Sequence, residues 1–257
     1  MSRSKAKAFS IIFWNVWVEN QLVAHKLHRL YGRFDEFIAK YRPDAFGLNE
    51  VLEAAHGMPP PLLTYLESRG YRVFFAPFGP ERNGQRSGTA FASLLEPRSI
   101  KVHELGPDKH AELYGHQGHS IKLIRARMLH ASQPVNIVVV HLSHLMPYNW
   151  MAHVKQHRTF RNLMRSPGLQ TSTIIGGDFN RFKFLPSLQD DNPSRYSRAT
   201  GSLMNPTWKL VGKFPLIQAN YDNLLWTTCG KLLLQEFKLL KRHPSDHTPL
   251  YARFLVG

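Results

Sequence analysis

The sequence predicts an α/β fold in which two packed β-sheets are flanked by helices. Segments with helical periodicity alternate with short apolar segments along the 257-residue chain. Some neighbouring strands are joined by tight turns, as in hairpins, whereas others are separated by a helix, as in crossovers. Because this mixture of connections is typical of two sheets covered by helices, we expect that architecture here.

Three segments have the pattern of helices. Across residues 24–41, apolar side chains recur at helical spacing, and Pro43 follows the predicted end. Residues 59–70 are predicted as a second helix that closes at its glycine, and residues 150–164 as a third. We interpret the apolar stripe of the first helix as core rather than as a cofactor-binding surface.

The predicted strands are short apolar runs bounded by turn residues. A turn at residues 96–98 joins two of them, and a turn at residues 132–134 makes a hairpin of two others. The predicted strands cover residues 9–14, 44–48, 71–76, 89–95, 100–105, 121–130, 135–141, 174–177, 223–226 and 250–256.

We expect residues 8–257 to form one domain, preceded by a basic tail at residues 1–7. Hydrophobic residues make up 43% of the chain, which is ample for one core. The single cysteine, Cys229, excludes an internal disulfide, and the tail lacks the apolar segment of a secretory signal. No stretch approaches the ~18 apolar residues of a membrane span. These features predict an intracellular, cytoplasmic protein without a transmembrane segment.

The most informative motif is the run 174–180, in which an apolar strand leads into Asp178 and Asn180. Because one residue separates them, the two side chains are predicted to project to the same side past the strand end. There the carboxylate can orient or deprotonate a water, and the amide can hold that water or a phosphate oxygen. Gly176 and Gly177 are expected to let a phosphate-bearing substrate approach the backbone. By itself, the motif equally fits an Asx-type turn without a catalytic role.

Further polar residues lie at the ends of other predicted strands or in adjacent turns. Open sheets bind ligands outside their strand ends, so residues collected there are candidates for one shared site. Taken singly, each residue has a structural alternative: a helix cap, a buried hydrogen-bonded histidine or a turn former. The candidates are Asn15, Glu50, His141, Asp222, Asp246 and His247.

In their order along the chain, these residues resemble the endonuclease/exonuclease/phosphatase superfamily, which includes deoxyribonuclease I and exonuclease III. The resemblance extends over nearly the whole chain and implies a four-layer α/β sandwich of the deoxyribonuclease I-like type, with the site at one end. The matching motifs are WN at 14–15, NE at 49–50, VVVHLSH at 138–144, GGDFN at 176–180, YDNLL at 221–225 and SDHTPL at 245–250.

Two positions depart from the usual pattern of the superfamily, and neither change removes a predicted ligand. Asn49 stands where the family commonly has glutamine, and Asn223 stands where a larger side chain such as histidine is frequent. His141 fits the branches that use histidine there, which include deoxyribonuclease I-like nucleases and several phosphatases. The apurinic-endonuclease branch usually relies on a tyrosine instead, which argues against that branch.

The resemblance implies a metal site and a nucleophile-activating group. Glu50 and Asp246 are the expected carboxylate ligands of Mg²⁺ or Mn²⁺, with an oxygen from Asn15, because these ions prefer hard oxygen donors. Asp178 is expected to orient or deprotonate the nucleophile, with Asn180 fixing the geometry.

The resemblance also implies roles for two histidines. His247 is expected to contact the scissile phosphate, and Asp222 to hold its imidazole in the useful tautomer. His141 is expected to donate to a phosphate oxygen or to protonate the leaving group. Several other histidine pairs have a spacing that can bind zinc, but 14 histidines make such pairs expected by chance.

The charge of the chain predicts an anionic substrate. Lysine and arginine total 33 against 18 aspartate and glutamate residues, for a formal net charge of +15. Nucleic acid is the first candidate, because several simultaneous phosphate contacts exploit counterion release. Arg86, Arg181 and Lys183 are predicted to contact the substrate, because they lie in segments beside the catalytic strand ends.

Together, these features predict a divalent-metal-dependent phosphodiesterase, foremost a nuclease that hydrolyses phosphodiester bonds in DNA, with RNA as a second candidate. The alternative is a phosphatase or phosphodiesterase acting on phospholipid headgroups or small phosphoesters, since a basic face also binds an anionic membrane. A third hypothesis is a non-catalytic nucleic-acid-binding relative, against which the intact residue set argues. No protein partner is predicted.

Overall fold

The computed structural model places two β-sheets face to face, with helices on the two outer faces. It describes residues 6–55, 57–80, 85–108, 120–143, 149–169, 171–180, 196–200, 208–209, 218–219, 221–228, 231–241 and 243–257. Of the predicted tail, residues 1–5 lie outside this set, so the division into tail and domain stays a prediction. Among the described residues, no helix is both long enough and apolar enough to cross a membrane.

The strands are β1 (Lys7–Asn15), β2 (Ala45–Leu52), β3 (Arg72–Pro80), β4 (Arg86–Ser93), β5 (Ser99–Pro107), β6 (Ser120–His130), β7 (Gln133–His141), β8 (Thr173–Asp178), β9 (Tyr196–Thr200), β10 (Trp208–Lys209), β11 (Gln218–Ala219), β12 (Asp222–Thr227), β13 (Leu232–Leu239) and β14 (Leu250–Val256). The helices are α1 (Glu19–Leu22), α2 (Ala24–Tyr41), α3 (Pro61–Ser68) and α4 (Trp150–Met164), and a short 3₁₀ turn follows at Pro167–Leu169.

Within the described residues, each main sheet has six strands and is mixed. The first has the order β13-β14-β1-β2-β4-β3 and the second β5-β6-β7-β8-β12-β9, while β10 and β11 form a separate two-stranded ladder. In the first sheet β1 and β2 are parallel, and in the second β7 and β8 are parallel. The other ladders are antiparallel. The predicted pair of packed, mixed sheets flanked by helices is confirmed.

The alternation of side chains along β1 explains the layers. Phe9, Ile11 and Phe13 point between the sheets and join the core shared with the second sheet. Ile12 and Trp14 point the other way, where they pack with Phe34 and Phe37 of α2 and with leucines of α3. On the far side, Phe160 and Met164 of α4 cover the second sheet. The molecule is therefore a four-layer sandwich.

The predicted elements differ from the observed ones at several places, and strands β9, β10 and β11 were among the elements not predicted. The prediction that Asn49 and Glu50 follow the end of a strand was wrong, because β2 continues through them to Leu52 with a register shift between Leu48 and Val51. Helix α1 was not predicted, since four residues are too few for a periodic signal. Strand β13 was not predicted either, because Leu, Gln, Glu and Lys all favour helix, whereas pairing with β14 determines the conformation.

Phe13 lies where the two sheets approach each other just beneath their carboxyl ends. A Cβ atom added at Gly47 would lie 2.5 Å from the Phe13 ring, and one added at Gly176 would lie 2.4 Å from it. Both glycines therefore make room for this ring. The same contacts bring β1, β2 and β8 together at the end of the sandwich where their polar residues lie.

Candidate active site

All eight residues predicted to form the site come together at one end of the sandwich. The parallel register places Asn15 beside Asn49 in the first sheet and His141 beside Asp178 in the second. The antiparallel register of β12 places Asp222 opposite Asp178. Asp246 and His247 lie in the turn that precedes β14. Carboxyl ends of parallel strands meet at one edge, and face-to-face packing joins the edges of the two sheets.

Asp178 is the centre of this arrangement and is fully buried. One carboxylate oxygen, Oδ2, accepts a hydrogen bond from Asn15 Nδ2 at 3.1 Å. The same oxygen lies 3.9 Å from His141 Nε2 and 3.7 Å from His247 Nε2. A carboxylate shared by an amide and two imidazoles is well placed to accept a proton from a bound water.

The structure gives Asn180 both features considered from the sequence motif: it takes part in an Asx-type turn, and its side chain has an oxygen available to a ligand. Its backbone N–H donates to Asp178 Oδ1 at 2.8 Å, which makes an Asx-type turn, and its own backbone is left-handed, with φ 44°. Its Nδ2 donates to Leu142 O at 2.7 Å. Its Oδ1 is buried and accepts no hydrogen bond from any described residue. This oxygen is available to a ligand that donates a proton or carries positive charge.

The glycines before Asp178 are explained by internal packing, which corrects the prediction that they open the backbone to substrate. Gly176 faces Phe13, and Gly177 has φ 132°, a conformation that favours glycine. A Cβ atom at Gly177 would lie 2.1 Å from Val140 O and 2.8 Å from Asn49 Oδ1. These glycines let β7 and β2 approach the strand that carries Asp178.

Glu50 projects into the site from the irregularity in β2. Its backbone is left-handed, with φ 57°. Oε1 accepts a hydrogen bond from Asn15 Nδ2 at 2.8 Å and lies 3.8 Å from His141 Nε2, and Oε2 accepts from Val18 N at 3.3 Å. Its side chain is 17% exposed, and that of Asp246 is 15% exposed, so the site opens to solvent beside these two acids.

Asn15 bridges the carboxylates through its nitrogen. Nδ2 donates to both Glu50 and Asp178, whereas Oδ1 accepts from Trp17 N at 3.0 Å. The sequence predicted an oxygen ligand here. The carbonyl oxygen retains a second lone pair, so that role stays a prediction, but the observed contacts make Asn15 a clamp between two acids.

His247 and Asp222 form a hydrogen-bonded pair, with 2.8 Å between His247 Nδ1 and Asp222 Oδ2. The backbone of the histidine is also held, since His247 O accepts from Trp14 Nε1 at 3.0 Å and His247 N donates to Ser245 Oγ at 3.0 Å. Because Nδ1 is engaged, Nε2 points towards Asp178 and Asp246. The pair therefore presents one defined ring nitrogen to the site.

Burial and neighbouring charges shift the pKa values of Asp178 and His247. Burial raises the pKa of Asp178 to about 7, although the His247 charge opposes this and Asp222 adds to it. Burial alone would lower the pKa of His247, but the negative charges of Asp222 and Asp178 outweigh it and raise that pKa to about 10. An acid and a base with displaced pKa values in one cleft are characteristic of catalytic sites.

The donor set fits a divalent cation. Two groups of side chains offer ligand atoms within 4.8 Å of one another: Glu50, His141 and Asp178, and Asp178, Asp222 and His247. The hydrogen bond between Asp222 and His247 occupies the second group, which leaves the Glu50 side as the better position. The predicted ligand Asp246 belongs to neither group, and its Oδ1 lies 3.9 Å from His247 Nε2. The Asn180 oxygen, which accepts no hydrogen bond from a described residue, is a further hard donor at this end of the sandwich.

Four further residues contribute to the site without having been assigned a role from sequence. Asn49 Oδ1 accepts from Asp178 N at 3.1 Å, Ser245 Oγ donates to Asn15 O at 2.7 Å, and Trp14 holds His247. Glu19 is near the acids, since burial and then the charges of Glu50 and Asp246 raise its pKa. Asn49, Ser245 and Trp14 belong to the conspicuous motifs, which is a signal that could have identified them.

Of the three residues predicted to contact the substrate, one lies among the described residues. Arg181 and Lys183 lie outside the described residues. Arg86 is paired with buried Glu53, with 2.9 Å between Nε and Oε2 and 2.5 Å between Nη2 and Oε1. Its structural role is therefore to pair with Glu53. The Arg86 side chain is 31% exposed, and its contact with substrate stays a prediction.

Replacing Glu53 should destabilise the protein in a pH-dependent manner. Burial alone would raise the pKa of Glu53, but hydrogen bonds from Arg86 outweigh it and lower that pKa below its ordinary value of 4.5. The stabilisation is therefore complete above the unfolded-state pKa and is lost as pH falls through the lower folded-state pKa. We expect Glu53→Gln to lower the free energy of unfolding at pH 7 by about 1–3 kcal/mol. Urea unfolding at several pH values would show the difference shrinking in acid.

The control is Glu96→Gln, which breaks an exposed pair with Arg72. Because water screens this pair, its loss should change the free energy of unfolding by less than about 1 kcal/mol. An equal effect of the two substitutions, or a Glu53 effect that does not vary with pH, would contradict the expectation.

Comparison with known proteins agrees with this geometry. The model of the Endonuclease/Exonuclease/phosphatase family matches residues 12–247. No curated protein sequence matches the chain significantly. Many solved structures do match, among them three at 16–17% sequence identity.

Three of these structures illustrate the likeness. An endonuclease/exonuclease/phosphatase from Beutenbergia cavernae has 17% identity and a TM-score of 0.73, with 97% of this chain and 72% of that chain covered. D. rerio TDP2 complexed with single-strand DNA product has 16% identity and a TM-score of 0.68, with 96% and 98% covered. The human Nocturnin catalytic domain with bound sulfate has 17% identity and a TM-score of 0.64, with 97% of each chain covered.

The family match spans almost the whole chain and includes the acidic and imidazole side chains that lie close together in the site. This chain belongs to the endonuclease/exonuclease/phosphatase family of divalent-metal-dependent phosphoester hydrolases.

Proposed function

We propose that this protein is a nuclease that hydrolyses phosphodiester bonds in DNA with Mg²⁺ or Mn²⁺. The observation that carries the proposal is the convergence of Asp178, Glu50 and the two imidazoles, whose Nε2 atoms lie 3.7–3.9 Å from the carboxylate oxygens. Phosphodiester hydrolysis needs a base for water, positive partners for the phosphate oxygens and a proton for the leaving oxygen. The cleft holds a candidate for each.

Glu50 and Asp246, with Asn15, are the proposed holders of the cation. Bound there, the cation would neutralise negative charge on the phosphate oxygens. Asn15 links the Glu50 and Asp178 carboxylates by donating to one oxygen of each, at 2.8 and 3.1 Å. His141 Nε2 faces the same two oxygens and is the proposed donor to a phosphate or leaving-group oxygen.

Asp178 is the proposed base, and the hydrogen bonds that orient it leave one carboxylate oxygen directed into the site. Its backbone N–H is bound by Asn49 and its Oδ1 by Asn180 N, so Oδ2 faces the cleft in one orientation. A pKa raised by burial gives the carboxylate more affinity for the proton of an attacking water. Asn180 is the proposed group that orients that water, through the side-chain oxygen that accepts no hydrogen bond from a described residue.

His247 is the proposed electrostatic partner of the phosphate. With Nδ1 held by Asp222 and its pKa raised by the neighbouring carboxylates, the imidazole is the proposed cation of the site at neutral pH. Its Nε2–H can then donate to a phosphate oxygen while Asp222 balances its charge.

Two observations favour nucleic acid as the substrate. The net charge of +15 suits a polyanion that makes many phosphate contacts. The similar fold of D. rerio TDP2 was determined with a single-strand DNA product, which shows that this architecture accommodates a DNA strand in that protein.

Purified protein should be incubated with supercoiled plasmid, single-stranded DNA, RNA and inositol phospholipid vesicles, each with Mg²⁺, Mn²⁺ or EDTA. We expect nicking of plasmid that requires metal and disappears in Asp178→Ala. Phosphate release from the lipid with intact plasmid would overturn the proposal in favour of a lipid phosphatase. Salt-sensitive DNA binding without turnover would favour a binding protein.

A further inference from the structure

Strands β1 and β2 separate at the site, and helix α1 fills the gap between them. Val16 N still donates to Asn49 O at 3.0 Å, but the chain then turns at Trp17, which has φ 61°. From this point β1 offers no further partner to β2 in the ladder, whose last registered pair is Asn15 with Asn49. Glu50 is the first residue of β2 beyond that pair.

The side chain of Gln21 takes the place of the missing strand. Its Nε2 donates to Glu50 O at 2.6 Å, and its Oε1 accepts from Leu52 N at 2.9 Å. These two backbone groups lie at the register shift of β2 towards β4, so the irregularity is stabilised from the side of α1. A side-chain amide that donates and accepts at once reproduces the hydrogen bonds of a neighbouring strand.

The contact determines where the Glu50 carboxylate points. Glu50 has a left-handed backbone, which a residue with a Cβ atom adopts only at a cost and which its surroundings must enforce. Gln21 holds the carbonyl of Glu50 itself, while Val18 N and Asn15 Nδ2 hold its two carboxylate oxygens. Without the hydrogen bonds from Gln21, the backbone of Glu50 would lose the contact that fixes its orientation, although the contacts to its carboxylate would remain.

We propose that Gln21 is a positioning residue for the metal site: it clamps the irregular turn of β2 so that Glu50 is presented to the cation. The inference rests on the proposed function, in which Glu50 is a metal ligand. Residues that orient a ligand without touching the metal contribute about 10- to 100-fold in metal affinity. Gln21 differs from such residues in acting on the backbone of the ligand rather than on its side chain.

The test is direct Mn²⁺ binding by the full chain, measured by the loss of the free-ion electron paramagnetic resonance signal. Gln21→Met keeps the length of the side chain and removes both hydrogen bonds. We expect its dissociation constant for Mn²⁺ to rise about 10- to 100-fold. In the plasmid assay, raising Mn²⁺ should restore most of the turnover, because the groups that act on the phosphate are unchanged.

Gln85→Met is the matched control. Gln85 Nε2 donates to Glu53 O and Ala54 O, each at 2.7 Å, so it clips the same segment of chain just beyond Glu50. Its loss should lower the melting temperature by an amount similar to the loss of Gln21 but leave Mn²⁺ affinity within twofold. Gln21→Ala, which suits a short helix, is the second variant if Gln21→Met does not fold.

Each outcome decides a different question. Equal Mn²⁺ affinity of wild type and Gln21→Met would overturn the role of Gln21 and leave the proposed function intact. Equal losses in the Gln21 and Gln85 variants would also overturn it, since general loosening would then be the cause. A wild-type protein that binds no Mn²⁺ would overturn the metal assignment of Glu50, and the role of Gln21 with it.

Discussion

Asp178→Asn should reduce the rate of DNA hydrolysis by about 10⁴-fold, at the upper end of what a positioned acid–base group contributes. The reason is that Asp178 Oδ2 faces Asn15 and both imidazoles, so replacing this oxygen by an amide nitrogen sets a donor against three donors. The other oxygen would still accept from Asn180 N, which preserves the turn. Initial rates of plasmid nicking at saturating Mn²⁺ would measure the effect.

The free energy of unfolding of the same variant should change far less than its activity. Burial raises the pKa of Asp178, so at pH 8 the folded protein holds a carboxylate that ionises less readily than in the unfolded chain. A neutral amide avoids that penalty but loses the acceptor that faces Asn15 and both imidazoles, so the two effects oppose each other and the melting temperature in EDTA should change little. Retention of more than a tenth of the activity, or loss of activity accompanied by unfolding, would count against Asp178 as the base.

His247→Ala should reduce the rate by about 10²–10⁴-fold, because the phosphate loses its charged partner. Asp222→Asn should reduce it by less, since an amide oxygen can still accept from Nδ1 and keep the tautomer. The two variants therefore separate the contribution of the imidazole from that of the charge behind it. Equal rates for His247→Ala and wild type would exclude a role for the imidazole in the reaction.

The charge of His247 can be followed without substrate. Asp222 and Asp178 raise the pKa of His247 to about 10, against the effect of burial, so the imidazole in metal-free wild type should remain protonated at pH 8. Asp222→Asn removes one of these charges, and the pKa should fall. Two-dimensional NMR of the imidazole in EDTA would report the titration. An imidazole already neutral at pH 7 in wild type would contradict this electrostatic account.

The residues of the site were predictable because they follow strands whose ends the sequence marks clearly. Apolar, mostly β-branched runs lead into His141 and Asp178, and their parallel pairing brings those residues side by side. Asn15 and Glu50 were also identified from sequence, but the conformation of Glu50 was not. A strand that continues through a left-handed residue has no local signal that separates it from a strand that ends.

The residues that hold the site residues in place were harder to predict from the sequence, because their roles depend on contacts between distant segments. Gln21 lies in no motif, and only folding places its amide against Glu50. Asn49 lies in a motif, but its contact with the backbone of Asp178 depends on the packing of the two sheets. Likewise, the glycines before Asp178 predicted a backbone open to substrate, whereas Phe13 and β7 fill the space next to these glycines.

The sequence by itself determined the fold class, the family pattern and the chemistry-bearing residues, because strand periodicity and motif order are local properties that survive in one dimension. Only the tertiary structure decided which atoms of those residues meet: the nitrogen of Asn15 between two acids, Asp222 behind His247, and Glu50 held by an amide from α1. The pairings that cross between the sheets depend on their packing across Phe13, and all of them join segments distant in sequence, so they are set by the whole fold rather than by any one segment.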